Sequence, residues 1–380
     1  MQYYDYLIVG AGFSGSVLAE RLASQLNKKV LIIDRRPHLG GNCYDYYNKN
    51  GVLIQKYGAH LFHTKYKEVF DYLSNFTSWH KYEHRVKAWI DGEIYDLPIN
   101  LNTVNKFFGK NFTPRQCKKF LEKIRVKIKK PKNAQEQVVS KVGWEIYRKF
   151  FEKYTLKQWE RHPKKLEPLV TARIPIRFNT DDRYFDDPYQ FMPNKGFTKL
   201  FEKMLLHKNI TVKLKTDFKE IRNLDSQRKL GLESRRKSEI RYDNLIYTGC
   251  IDEFFDYKFG HLPYRSLKFK FKTFNKPFYQ KYTVINYPND FKYTKVVEIK
   301  HATKQRINKT TIGYEFPSAS GEPYYPIPQL INQKLYQKYL ALTKNFRNVF
   351  FLGRLGQYQY LNMDQVVLAV LNLYKKLAKI

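Results

Sequence analysis

The sequence predicts an α/β fold: a parallel-sheet unit opens the chain, a helical stretch follows, and an antiparallel sheet comes later. Three observations predict it. The first 34 residues read strand, helix, strand; residues 101–165 are charged segments of largely helical character; residues 263–316 alternate aromatic and β-branched residues with polar ones. At 380 residues the chain suggests roughly two or three lobes around more than one core.

Tyr6–Val9 is a short apolar run ending at a glycine, as a buried strand does. Val17, Leu18, Leu22 and Leu26 recur at helical spacing over 14–26, and Val30–Ile33 is a second buried strand. Such a β–α–β unit demands a parallel sheet with a right-handed crossover. Arg85–Ile90 and Glu93–Ile99 flank Asp91-Gly92, a strong hairpin signal. Gly196–Leu206 reads as a helix and Ile240–Thr248 as a strand, after a charged insert, Asp225–Glu239, read as a solvated loop. Leu267–Phe274, Tyr282–Tyr287, Lys292–Ile299 and Thr310–Phe316 predict an antiparallel sheet. Val349–Leu352 reads as one more buried strand. Asp364–Lys379 reads as a deeply packed final helix, apolar around most of its girth. The expected organisation is 1–100, 196–262 and 326–380 as one dinucleotide-binding domain, with a mainly helical domain over 101–195 and an antiparallel domain over 263–325 inserted in it.

The net charge is +34, from 69 basic and 35 acidic residues. Nucleic acid, an anionic membrane and an anionic small substrate are all compatible partners. So is genome bias, because Lys, Asn, Tyr, Phe and Ile are abundant together. The basic residues are spread along the chain, and the densest run is Arg228–Lys237. Cys43, Cys117 and Cys250 lie too far apart for a zinc spacing or a disulfide framework, so no metal is expected and a reducing compartment fits. The start of the chain reads as a strand and not as a signal peptide, and no apolar run approaches a membrane span. A soluble, cytoplasmic protein is expected.

Gly10-Ala11-Gly12-Phe13-Ser14-Gly15 matches G-x-G-x-x-G in the context the fingerprint needs: after a strand, opening a helix, and 19 residues before Asp34 at the end of the next strand. Gly10 allows the tight turn, Gly12 lets a pyrophosphate approach, and Gly15 lets the helix pack on the strand. The helix N-terminus then offers free N–H groups and partial positive charge, and Asp34 would accept from an adenosine ribose. This predicts a Rossmann-type domain without separating FAD from NAD. Two further features favour FAD. Arg35 to Asn42 carries the pair Gly40-Gly41, where the chain can lie against an extended cofactor. Near the C-terminus, Gly353-Arg354 precedes the final helix and offers a second phosphate or carbonyl site.

Five dispersed segments resemble the UDP-galactopyranose mutase family: Tyr57–Thr64, Tyr154–Trp159, Arg173–Phe178, Glu322–Pro326, and Gly353–Leu355 with Tyr358, Tyr360 and Met363. The resemblance implies an FAD-binding α/β domain, a helical domain and an antiparallel sheet around one cleft, in a homodimer. It also implies an isomerase that interconverts the pyranose and furanose rings of a nucleotide-diphosphate sugar without net redox, for cell-surface polysaccharide synthesis. In such enzymes the flavin must be reduced, and its N5 attacks the anomeric carbon as the nucleotide leaves.

The resemblance assigns the site residue by residue. Arg173 would hold the diphosphate with a bidentate guanidinium. Tyr154 and Trp159 would frame the base and ribose, and His63 would lie beside the flavin ring with His60 nearby. Tyr184, Tyr325 and Tyr360 would reach the sugar and diphosphate. Arg354 would serve the flavin side of the cleft, and Met363, Phe13 and Ser14 the cofactor. Four positions depart from the family pattern: Lys295 stands where relatives have a second arginine, His84 for an asparagine, Asn362 for an aspartate, and Lys106 near a base-contacting stretch. These swaps bear on the exact substrate, because exchanging a carboxylate for an amide changes which hydroxyls can be held. An amine-oxidase-like flavin oxidoreductase is the alternative enzyme reading, and a basic nucleic-acid-binding protein the alternative outside enzymes.

Overall fold

The computed structural model describes residues 2–172, 175–222 and 240–378. A five-stranded sheet, parallel throughout, runs in the order Ile210–Leu214, Val30–Asp34, Gln2–Val9, Ile240–Tyr247, Val349–Phe351. Tyr6–Val9, Val30–Ile33 and Leu245–Tyr247 are apolar on successive residues because both faces of the sheet are covered there. Ile8, Ile32 and Ile246 point into the main core with the Phe13–Leu26 helix. Leu7, Leu31 and Leu245 point the other way, against Phe218 and Phe254. Val349–Phe351 is half-buried rather than buried as expected, because it is an edge strand with one neighbour. The final helix, Met363–Leu377, packs against Phe13–Leu26 through Val366, Val367, Val370 and Leu371.

The second sheet has seven strands: Tyr325–Pro326, Tyr264–Phe274, Thr310–Ser318, Lys295–Val297, Val284–Asn286, Val86–Ile90, Glu93–Leu97. The last two form the expected hairpin, with Ile90 opposite Glu93 and Asp91 (φ 49°) and Gly92 (φ 90°) as its two loop residues. Positive φ at both positions is what a type I′ turn requires. The strands of 263–316 pair antiparallel with one another as expected. The sheet also extends beyond them: Val284–Asn286 runs parallel to Val86–Ala88, so the hairpin joins this sheet and not the five-stranded parallel one.

Residues 101–159 are largely helical, with Leu101–Phe108, Pro114–Ile124, Ala134–Ile146 and Lys153–Trp159. A π-helical stretch, Tyr147–Glu152, precedes the last of these and turns Phe150 and Phe151 toward the cleft described below. A three-stranded sheet of Phe62–Thr64, Tyr189–Pro193 and Trp79–Lys81 closes the remaining side. The insert Asp225–Glu239 and the run Arg228–Lys237 lie outside the described residues, as does Arg173.

Candidate active site

The glycine turn is locked before any ligand is considered. Gly10 has φ 107°, and a Cβ there would stand 2.0 Å from Thr248 Oγ1; one on Gly15 would stand 2.0 Å from the Gly10 carbonyl oxygen. Gly12 occupies the N-cap of Phe13–Leu26, where no side chain caps the helix and no acid stands in its first turn. The N–H groups of that turn are therefore open to an anion. Asp34 braces the turn: its Oδ2 accepts from the Ala11 N–H at 2.9 Å and its Oδ1 from the Arg36 N–H at 2.8 Å. The Gly40-Gly41 pair packs on the turn itself. Gly40 N–H donates to the Ala11 carbonyl at 2.9 Å, and Gly41 (φ 54°) lies so close that its Cβ would be 3.1 Å from Gly12 Cα. Gly353 (φ 76°) arrives from the other end of the chain and would place a Cβ 2.6 Å from Ser14 Oγ.

Three cavities follow from this turn. One, of about 190 Å³, opens at the carboxyl ends of the parallel strands and is lined by Gly10, Gly12, Asp34, Arg35, Gly41 and Asn42. This is the crevice where open α/β sheets take ligands. A second, about 140 Å³, lies over the turn between Phe13, Ser14, Gly353 and Met363. The third is a cleft of about 540 Å³ between the helical lobe and the seven-stranded sheet. Asn42 lines all three, and His60, Arg354 and Met363 line the last two. The three cavities therefore adjoin one another around the glycine turn. Arg36 fixes Asn42, donating to its Oδ1 at 3.0 Å while pairing with Glu322 at 2.7 Å. Arg35 faces Glu253 and Glu322 at 3.9 and 3.7 Å.

The cleft gathers the side chains that the sequence dispersed. His63, His84, Tyr154, Trp159, Tyr184, Lys295, Tyr325, Tyr360 and Asn362 all line it, with His60 and Arg354 on the side of the glycine turn. Arg173 is outside the described residues, and Thr171 and Pro175 on either side of it line the cleft. Lys106 does not line the cleft: it is exposed, bonded to Glu93 at 2.7 Å and to the Ile94 carbonyl at 2.9 Å.

Two cations, the half-buried Lys157 and the buried Arg265, clamp the aromatic helix Lys153–Trp159 onto the sheet. Lys157 donates to the carbonyls of Tyr287, Phe291 and Tyr293, and burial pulls its pKa down to about 8. Arg265, 1% exposed, donates to the Gln158 carbonyl at 2.9 Å and pairs with Glu160 at 3.1 Å. With the helix held, Trp159 meets Tyr325 edge-on at 5.5 Å, Gln158 donates to the Tyr325 hydroxyl, and Tyr325 leans on Tyr360 at 5.5 Å. Burial raises the Tyr325 pKa, so its hydroxyl stays protonated and can donate. Arg354 lies over the Tyr360 ring and bonds the Leu361 carbonyl.

Sequence reasoning missed the partners that orient these groups. His63 Nδ1 is 2.6 Å from Asp187 and its ring stacks on Phe185 at 3.6 Å; the partners are more than 120 positions away, and no local signal links them. Lys295 pairs with Glu315 at 2.9 Å, directly across two antiparallel strands. Burial opposes the Lys295 charge, but Glu315 outweighs it and lifts the pKa well above the usual value. That pair was findable by registering Lys292–Ile299 against Thr310–Phe316. Asn362 also caps the final helix in a reciprocal box with Gln365. Burial lowers the pKa of His60 to about 4 and of His84 to about 3, so both are neutral at pH 7.

Among the described residues, buried polar atoms without a partner cluster in the cleft wall: His84 Nδ1, Gln158 Oε1 and Asn286 Oδ1. Each such atom costs about 1–3 kcal/mol, a cost that fits a site built for a polar ligand.

A family model for UDP-galactopyranose mutase matches residues 149–360, and one for an NAD(P)-binding Rossmann-like domain matches residues 8–76. A probable UDP-galactopyranose mutase of Klebsiella pneumoniae is 38% identical over 97% of this chain and 93% of its own length. A dTDP-fucopyranose mutase of Escherichia coli is 36% identical over 94% of each. The crystal structure of a reduced UDP-galactopyranose mutase superposes with a TM-score of 0.75 at 15% identity, covering 99% of this chain and 96% of that one. That likeness concerns the fold.

Proposed function

The chain belongs to the UDP-galactopyranose mutase family, and from that premise we propose that it interconverts UDP-galactopyranose and UDP-galactofuranose with reduced FAD. It is an isomerase, like the relatives it matches over nearly its whole length. The observation that carries the reading is the set of adjoining cavities from the Gly10 turn into a cleft walled by paired aromatics, a lysine and unpartnered polar atoms.

When bound, reduced FAD supplies the nucleophile for the anomeric carbon. The chain does the rest. The open N–H groups at Phe13 and Ser14 would take the pyrophosphate, and Asp34 the ribose beside the turn it braces. Tyr154 and Trp159 would hold the nucleotide base. Arg173 and Lys295 would bind the diphosphate, keeping it in the cleft after the bond to the sugar breaks and lowering the cost of its charge. The Tyr325 hydroxyl, already accepting from Gln158, has its proton free to donate toward the substrate. His63, held through Nδ1 by Asp187 and stacked on Phe185, would offer its Nε2 to the cleft, and His84 and Asn362 would face the sugar. On the same reading the protein acts as a cytoplasmic homodimer.

An amine-oxidase-like reading leaves the paired aromatics and the unpartnered polar wall without a use. The test is incubation of dithionite-reduced, FAD-loaded protein with UDP-, dTDP- and GDP-pyranoses, dTDP-fucopyranose included, with products separated by chromatography. UDP-galactofuranose as the main product supports the reading. A furanose made only from another nucleotide-sugar moves the substrate, and no furanose from any of them rejects it.

A further inference from the structure

The segment from Lys110 to Lys132 carries ten cations, eight lysines and two arginines, and one acid, Glu122. All ten cations are exposed. Among the described residues none of their side chains forms an ion pair, although the same surface has such pairs at Lys106–Glu93 and Lys149–Asp91. The local fold explains the one-sidedness. In Pro114–Ile124, Cys117 and Leu121 are buried with Phe120 and Ile124 packed beside them, so Arg115, Lys118, Lys119 and Lys123 face out. From 125 to 129 the chain alternates: Val126 and Ile128 pack inward while Arg125, Lys127 and Lys129 stand out. Thr113 closes a capping box with Gln116 and Pro114 starts the helix, so the face is held by a well-formed element.

We propose that this face docks on an anionic phospholipid bilayer, holding the protein peripherally at a membrane surface. Four observations favour that partner. Clusters of four to eight Lys and Arg are the usual footprint of anionic lipid binding. The preponderance of lysine suits a diffuse field of headgroups, whereas reading discrete phosphates and bases favours arginine. None of the ten cations lines any of the cavities described above, so none of those grooves would hold a strand of nucleic acid against them. Gly143 packs against the Ile124 carbonyl, and the next residue, Trp144, is 41% exposed, which places an interfacial aromatic beside the cationic helix. Because none of the ten cations lines the cleft, docking leaves the nucleotide-sugar site open.

The experiment is co-sedimentation of the flavin-loaded protein with vesicles of phosphatidylcholine, alone or mixed with phosphatidylglycerol. One variant carries Lys118→Gln, Lys119→Gln, Lys123→Gln, Lys127→Gln, Lys129→Gln and Lys130→Gln. A control loses the same charge elsewhere, at Lys199, Lys203, Lys208, Lys334, Lys338 and Lys344, all exposed. The parent should bind only the anionic vesicles, and the binding should fall with salt. The first variant should bind at least about tenfold more weakly and the control nearly as the parent does, with turnover of soluble substrate unchanged in both. Three results would overturn the assignment: no binding to anionic vesicles at low salt, equal losses in the two variants, or RNA or duplex DNA bound more tightly than vesicles through the same lysines.

Discussion

Lys295 and Glu315 face each other across adjacent antiparallel strands, Nζ to Oε1 at 2.9 Å, with the Glu315 side chain only 4% exposed. Lys295 is therefore not a free cation: its charge is anchored before substrate arrives.

Removing it should have two separable effects. Lys295→Ala strands Glu315 and should cost about 3 kcal/mol, the lower end for breaking a buried pair because Lys295 is 28% exposed. It should also raise KM for the nucleotide-sugar. Lys295→Met with Glu315→Gln should restore most of the melting temperature and leave KM high. Recovery of both would make the lysine purely structural.

Asp187→Asn should leave flavin content and folding near normal while lowering kcat by about 10- to 100-fold, because the amide no longer fixes the His63 ring as the carboxylate does. A variant as fast as the parent would remove the His63–Asp187 pair from the chemistry.

His84 titrates with a sign that can be checked. Its pKa is lowered from 6.5 to about 3 by burial, so only the unfolded chain takes up this proton between those values. Stability is full above pH 6.5 and falls as pH drops toward 3, by about 1.4 kcal/mol per unit. His84→Asn should flatten this part of the melting-temperature profile. An unchanged acid slope would mean that the ring is not held neutral.

Much of this was legible in the sequence. The Gly10–Asp34 unit, the Asp91-Gly92 hairpin and the final helix follow from local pattern alone, because period and turn chemistry are local. The cleft residues were reached through the family resemblance, and their orienting partners were not. Asp187, Glu315 and Arg265 act across strand pairings and lobe contacts far apart in the chain. The parallel pairing of Val284–Asn286 with Val86–Ala88 is equally silent, since the alternating pattern of a short strand does not reveal its neighbour's direction.

The Gly40-Gly41 pair read as a place for cofactor also turned out to be a packing requirement. Gly41→Ala would place its Cβ 3.1 Å from Gly12 Cα in a left-handed backbone conformation. It should push the loop off the glycine turn and weaken FAD retention at least about tenfold while the chain stays folded. Full flavin occupancy in that variant would separate the loop from the cofactor groove.

Conversion of UDP-galactofuranose to UDP-galactopyranose by the FAD-loaded protein should be followed by chromatography before and after dithionite reduction. The oxidised protein should give no conversion and the reduced one many turnovers, with no net consumption of reductant. Equal conversion in both states, or a protein that takes up no flavin, would contradict the proposed function.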